Sequence, residues 1–173
     1  MQREPIRQVL DMVSDASNAY PSTYAIVAPT SGGKSLCRDT IGRMLRGIYW
    51  TICPLLSLSA DQTEKMAEYQ TEFGDSRIRA IHLDEIESDA SIQSITTTIN
   101  GMFDDTSRVA AIFSSPQCLK KPWVQQLFDS TLAKGLLRLF CVDEVHAATR
   151  HALTFHSIYK DLKEPVFDKA SLL

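Results

Sequence analysis

The sequence predicts an α/β fold, a parallel sheet sandwiched between helices, on three observations. Short apolar runs alternate with stretches of helical spacing at least four times along the 173 residues; this is the pattern of strand–helix–strand units with parallel strands. A glycine-rich turn, Ala28-Pro29-Thr30-Ser31-Gly32-Gly33-Lys34-Ser35, separates a strand-like run from a helix-like one. An acidic pair, Asp143-Glu144, directly follows the last apolar run, and open parallel sheets bind ligands beyond the carboxyl ends of their strands.

Each element can be justified in chain order. Ile6, Val9, Leu10 and Val13 share one helix face, ended by Asn18 and Pro21. Tyr24 to Ala28 reads as a first strand, followed by the turn and a helix to about Arg46 with Leu36, Ile41, Met44 and Leu45 inward. Ile48 to Cys53 is β-branched and aromatic and is stopped by Pro54, so it reads as a second strand. Leu58 to Phe73 has helical spacing, and Arg77 to Leu83 alternates like a strand. Ile92 to Met102 reads as a weak helix because Thr96-Thr97-Thr98 is a poor helix former. Val109 to Phe113 reads as a strand, Trp123 to Lys134 as a helix, and Leu136 to Val142 as a fully buried strand. Trp50 and Trp123 suit core packing better than base stacking, and His82 reads as structural.

Length and composition fit one domain with a sizeable core: 44% of residues are hydrophobic and 23% charged. No apolar run approaches the roughly 20 residues of a membrane span, and Met1 to Pro5 lacks signal-peptide blocks. An intracellular protein with no membrane partner is therefore expected. The net charge of −3 gives no bulk attraction for nucleic acid. Arg38, Arg43 and Arg46 on one helix read as a solvated face, and Lys120-Lys121 is the tightest basic pair. Cys37, Cys53, Cys118 and Cys141 form no paired spacing, which argues against a zinc or disulfide framework.

The turn carries the chemistry. A strand, a glycine-rich turn and a helix in that order make a phosphate cradle, or P-loop, in which backbone N–H groups of Thr30, Ser31, Gly32 and Gly33 face anionic oxygens. Lys34 is placed to reach β/γ-phosphates and Ser35 to set a hydroxyl on Mg²⁺. Ala28 stands where the general pattern has glycine. At the other end, Asp143-Glu144-Val145-His146 follows a buried strand. Two carboxylates there repel each other without a cation, so Asp143 is assigned to the metal and Glu144 to activating the attacking water. The same pair also suits a helix N-cap and first turn; the upstream P-loop favours the catalytic assignment. His146 suits a link between the γ-phosphate site and nucleic acid.

These motifs resemble those of superfamily 2 helicases, most closely the RecQ-like group. Ser31 to Cys37 resembles that group's extended motif I, and Cys53 to Gln62 its motif Ia. Ser115-Pro116-Gln117-Cys118-Leu119 resembles motif Ib, with Gln117 where glutamate is usual. Phe140 to Tyr159 resembles motif II and the aromatic-rich loop after it, with Phe155 and Tyr159 at matching positions but Arg150, His151 and His156 as departures. Gln2, with Ile6, Val9 and Leu10 behind it, is similar to the adenine-reading motif 0.

The resemblance implies a RecA-like P-loop NTPase fold over residues 1–173, the helicase ATP-binding domain or first lobe, truncated before the motif III strand. It implies ATP and Mg²⁺ as cofactors, a second RecA-like lobe supplied by a longer chain, and single-stranded or tailed duplex DNA as partner. Ser57, Gln62, Ser115 and Gln117 fall at positions near the DNA backbone, with an N-capping role open for Ser57, and Arg150 and His151 fall in the DNA-coupling loop. The implied activity is that of an ATP-dependent 3′–5′ DNA helicase serving repair and recombination, nuclear in eukaryotes and weakly active as this chain alone. A nucleic-acid-stimulated DEAH-type ATPase or translocase, and an inactive nucleotide-binding remnant, are the alternatives.

Overall fold

A computed structural model of the protein describes residues 7, 33–72, 78–102, 108–143, 166 and 168–170. The helix expected over Ile6 to Val13 and the strand expected over Tyr24 to Ala28 lie outside them, apart from Arg7, which is helical and exposed.

Among the described residues the order is α1 (Lys34–Leu45), β1 (Gly47–Ile52), α2 (Leu56–Glu72), β2 (Ile78–His82), α3 (Asp89–Gly101), β3 (Val109–Ser114), α4 (Pro122–Ala133) and β4 (Leu137–Val142). Short 3-10 turns over Leu83–Glu85 and Cys118–Lys120 follow β2 and β3. The strands form one parallel sheet in the order β2-β3-β1-β4. Parallel neighbours need crossovers, and the helices supply them.

The pleat assigns each strand residue to one of two cores. Ile48, Trp50 and Ile52 of β1, with Ala110 and Ile112 of β3, pack with Ile95 and Ile99 of α3 and Val124, Leu127 and Phe128 of α4. Tyr49 and Cys53, with Ala111 and Phe113, face the opposite side and pack with Met66 of α2. Helices thus cover both faces, α3 and α4 on one and α1 and α2 on the other, which is the expected α/β sandwich. Among the described residues no helix is long and apolar enough to cross a membrane.

Helix α3 forms in spite of its threonines. Ser88 caps it by accepting from the Ser91 N–H at 3.2 Å, Thr96 Oγ1 donates to the Ile92 carbonyl at 2.9 Å, and Ile95 and Ile99 are buried. Cap and packing together outweigh propensities of a few tenths of a kcal/mol per residue. Burial pushes the Cys53 and Cys118 thiols up to about 12, so they act as core hydrophobes.

Three expectations are corrected. Leu36 and Met44 are exposed, while Cys37 and Ile41 carry the inward face of α1. Arg38 is buried, 7% exposed, not part of a solvated basic face. β4 is only partly buried: Leu137 is inside, Arg138 is exposed, and Leu139 to Val142 are half-buried, because β4 ends the described sheet with β1 as its one described neighbour.

The seating of α1 depends on Gly42, where an added Cβ would overlap the Tyr49 ring. Helix and strand approach so closely there that no side chain fits. Gly42→Ala is expected to destabilise the protein by about 1–3 kcal/mol through overpacking, although alanine is the better helix former. A urea midpoint unchanged or raised in this variant would contradict the tight contact.

Candidate functional site

Parallel strands bring their carboxyl ends to one edge, so His82, Ser114, Ile52 and Val142 end β2, β3, β1 and β4 on the same side. Asp143 extends β4, its N–H donating to the Ile52 carbonyl at 2.9 Å, and Cys53 N–H donates to the Ser114 carbonyl at 2.9 Å. Ladder bonds therefore carry the first residues past the strands into this edge.

Helix α1 starts at the same edge. Gly33 precedes it with φ 80° and ψ 20°, a left-handed conformation that suits glycine, and no side chain caps it. The Cys37 N–H donates to the Gly33 carbonyl at 3.1 Å, the first turn of the helix. Lys34 and Ser35 lie in this turn and are half-buried. Arg38 follows Lys34 by one turn on the same face.

The Arg38 guanidinium is the centre of the edge. Its Nε donates to Asp39 Oδ1 at 2.7 Å, and Nη2 lies 2.6 Å from the same oxygen. Nη2 also donates to Gln62 Oε1 on α2 at 2.8 Å. Nη1 stands 3.6 Å from Asp143 Oδ2, and the guanidinium carbon is 5.2 Å from the centre of the Phe113 ring. Burial opposes the charge on Arg38, but the Asp39 carboxylate, with smaller contributions from Cys141 and Tyr49, raises the guanidinium above its ordinary value. Burial also lifts the Asp39 carboxyl above its ordinary range, with Arg38 pulling the other way.

A second knot ties β2 to β3. Asp84 Oδ2 accepts from the Ser115 N–H at 2.7 Å, Asp84 Oδ1 accepts from the Ser115 hydroxyl, and that hydroxyl accepts from the Cys118 N–H at 3.1 Å. His82 lies 2.9 Å from Glu85 Oε1 and 3.5 Å from Asp84 Oδ2, at angles that make no hydrogen bond.

Of the residues singled out in the sequence, Gly33, Lys34 and Ser35 lie at the start of α1 and Asp143 at the tip of β4, both on the carboxyl edge, and the Arg38–Asp143 pair at 3.6 Å brings the second turn of α1 beside that tip. Gln62 and Ser115 are buried, engaged by Arg38 and Asp84 respectively. Ser57 and Gln117 are exposed, and Ser57 is the second residue of α2, not its N-cap. Trp50 is wholly buried. Gln2, Thr30, Ser31, Gly32, Glu144, His146, Arg150 and His151 lie outside the described residues.

Sequence reasoning missed Arg38 and Asp84. A charged residue one turn after the P-loop lysine, at a position spaced for burial, was the available signal for the first. The second directly follows an alternating strand on the ligand edge. Ser35 and Asp143 are hard oxygen donors, the chemistry magnesium prefers, and a half-buried carboxylate beside a helix start suits a metal–phosphate ligand.

No family model matches the chain. Similar proteins include the ATP-dependent DNA helicase Q5 of Rattus norvegicus, 23% identical over 134 residues, 78% of this chain and 13% of that protein. The probable ATP-dependent DNA helicase RecS of Bacillus subtilis is 29% identical over 134 residues, 78% of this chain and 24% of the relative. The ATP-dependent DNA helicase Q1 of Rattus norvegicus is 29% identical over 141 residues, 79% of this chain and 21% of the relative. The chain thus spans between 13% and 24% of the length of these relatives. Its parallel sheet and motif stretches agree with these relatives, and the chain is similar to RecQ-like helicases over about four-fifths of its length.

Proposed function

We propose that residues 1–173 form the ATP-binding lobe of a RecQ-like 3′–5′ DNA helicase, taking Mg-ATP between the start of α1 and the tip of β4. The Arg38–Asp143 contact at 3.6 Å is the observation that carries this reading, because it sets the first turns of the P-loop helix beside the motif II aspartate. Relatives named as ATP-dependent DNA helicases support it.

In this reading Lys34 pairs with the β/γ-phosphates, and the turn from Thr30 to Gly33 gives backbone donors to the same oxygens. Ser35 and Asp143 hold the magnesium ion, which when bound neutralises charge on the phosphates and polarises the γ-phosphoryl group. Glu144 orients a water and takes its proton, His146 links this centre to the strand site, and Gln2 reads adenine. Ser57, Gln117, Arg150 and His151 form the side toward single-stranded or tailed duplex DNA, while Gln62 and Ser115, expected there from the resemblance, are buried and support it from within. A second RecA-like lobe supplies the arginine finger, worth roughly 10³–10⁵ in rate. The chain alone therefore hydrolyses ATP slowly. Nuclear placement belongs to this reading for a eukaryotic source.

Lys34→Ala removes a charged hydrogen bond to phosphate, worth about 1.5–3 kcal/mol, so nucleotide affinity is expected to fall roughly 10- to 150-fold. Titration of the 173-residue chain with a fluorescent ATP analogue checks this. Parental affinity in the variant, or no uptake by folded parent, would exclude the site. The departures at Arg150 and His151 favour a second reading, an ATPase or translocase without unwinding. Opening of a 3′-tailed duplex by this lobe joined to its second lobe would exclude that one.

A further inference from the structure

The proposed nucleotide chemistry leaves one buried charge unused. Arg38 has no phosphate, metal or water to handle in that scheme, yet it is 7% exposed, and burying a guanidinium is unfavourable unless it is paired. Its partners come from different parts of the fold: Asp39 on α1, Gln62 on α2, the Phe113 face on β3 and Asp143 at the end of β4. Nε and Nη2 are hydrogen-bonded, while the buried Nη1 makes no hydrogen bond among the described residues and faces Asp143 Oδ2 at 3.6 Å. A shift of roughly half an ångström would close that gap into a charge-assisted bond. The guanidinium is rigid and planar, so displacement of Nη2 by Gln62 moves Nη1 with it.

We propose that Arg38 is a positioning residue that sets the Asp143 carboxylate and couples it, through Gln62, to the nucleic-acid side of α2. This rests on the reading of Asp143 as a magnesium ligand and of the exposed face of α2, where Ser57 lies, as the strand side, with Gln62 buried on the inner face of the same helix. Strand contact that shifts α2 alters the Gln62–Arg38 bond, and the guanidinium passes that change to the carboxylate. The coupling is reciprocal, so metal-nucleotide at Asp143 changes strand affinity by the same factor. Lysine at 38 keeps the charge but offers a single ammonium, which cannot serve Asp39, Gln62 and Asp143 together.

The test uses the full 173-residue chain, magnesium, a fluorescent non-hydrolysable ATP analogue and oligothymidylate, with Arg38→Lys, Gln62→Leu and the double variant. Arg38→Lys is expected to raise the magnesium concentration for half-maximal analogue binding by roughly 10–100-fold, as loss of a metal ligand's outer partner does, while metal-free analogue affinity changes little. The factor by which oligothymidylate alters analogue affinity in the parent is expected to shrink toward one in each single variant. The double variant is expected to lose nothing further, since both changes break one linkage.

A parental magnesium dependence in folded Arg38→Lys overturns the inference. Additive losses in the cycle, or no oligothymidylate effect in the parent, overturn it equally. If Arg38→Lys shows no cooperative melting, Gln62→Leu decides alone, and parental coupling there overturns it. A parent that takes up no nucleotide removes the underlying reading, and this inference with it. A parent that binds through Lys34 while Arg38→Lys behaves as parental removes the inference alone.

Discussion

Trp50→Ala is expected to cost about 3–5 kcal/mol, the range for truncating a buried aromatic. Trp50 lies on β1 between β3 and β4, in register with Ile112 and Phe140, and is wholly buried. Its ring meets Phe128 of α4 edge-on at 5.4 Å, and Phe128 meets Phe140 at 5.6 Å, so one side chain joins two strands to the helix layer. Its Nε1–H donates to Ser114 Oγ at 2.9 Å, a bond the alanine variant loses inside the core. The cavity would be walled by strands held in a ladder, which cannot collapse into it. Set against a total stability of roughly 5–15 kcal/mol, the loss is large. Trp50→Phe keeps a ring against Phe128 and loses the hydrogen bond, so it is expected to cost less. Urea unfolding followed by circular dichroism checks both. A Trp50→Ala midpoint equal to the parent's would refute the central place given to this ring.

Arg38→Met is expected to cost a similar amount, about 3–5 kcal/mol near neutral pH, because removing one partner strands the other charges in a buried site. The carboxylates of Asp39 and Asp143 both face this guanidinium, and each is only 15% exposed. The pH dependence follows from Asp39. Burial raises its folded-state pKa above the ordinary 3.8, with Arg38 opposing that shift. An acid with a raised folded pKa holds more protons folded than unfolded, so its ionisation lowers stability as pH climbs from 3.8 through the folded value. Without Arg38 the folded value moves higher still. The loss in Arg38→Met is therefore expected to be smaller at about pH 5 than at about pH 8. Denaturant unfolding of parent and variant at both pH values measures it. A loss that grows toward acid pH would show that Asp39 is not the stranded group.

Strands and helices were legible because their signals are local. Ile48 to Cys53 shows β-branched and aromatic residues stopped by Pro54, and β1 spans Gly47–Ile52. The α4 reading of Trp123 to Lys134 meets an observed Pro122–Ala133. The inward face of α1 was not legible. Its spacing allows several apolar stripes, and the choice of Cys37 and Ile41 over Leu36 and Met44 comes from the contact of Gly42 with Tyr49. The partial exposure of β4 was hidden as well, since an apolar run has the same composition at the end of a sheet as at its centre. At the candidate site the residues of the start of α1 and the tip of β4 were readable as motifs. Arg38 was not, because a buried arginine is explained only by partners distant along the chain, such as Gln62 and Asp143.

By itself, then, the order of residues determined the alternation of parallel strands and covering helices, and it singled out a lysine, a serine and an aspartate that lie at the carboxyl edge of the sheet. These follow from hydrophobic period and turn chemistry, which act over a few neighbouring residues. Tertiary structure alone decided the strand order β2-β3-β1-β4, the face that α1 presents and the guanidinium joining α1, α2 and β4. Each of these arises from contacts between segments far apart in the chain, where packing and charge pairing select among arrangements that local propensity leaves equal.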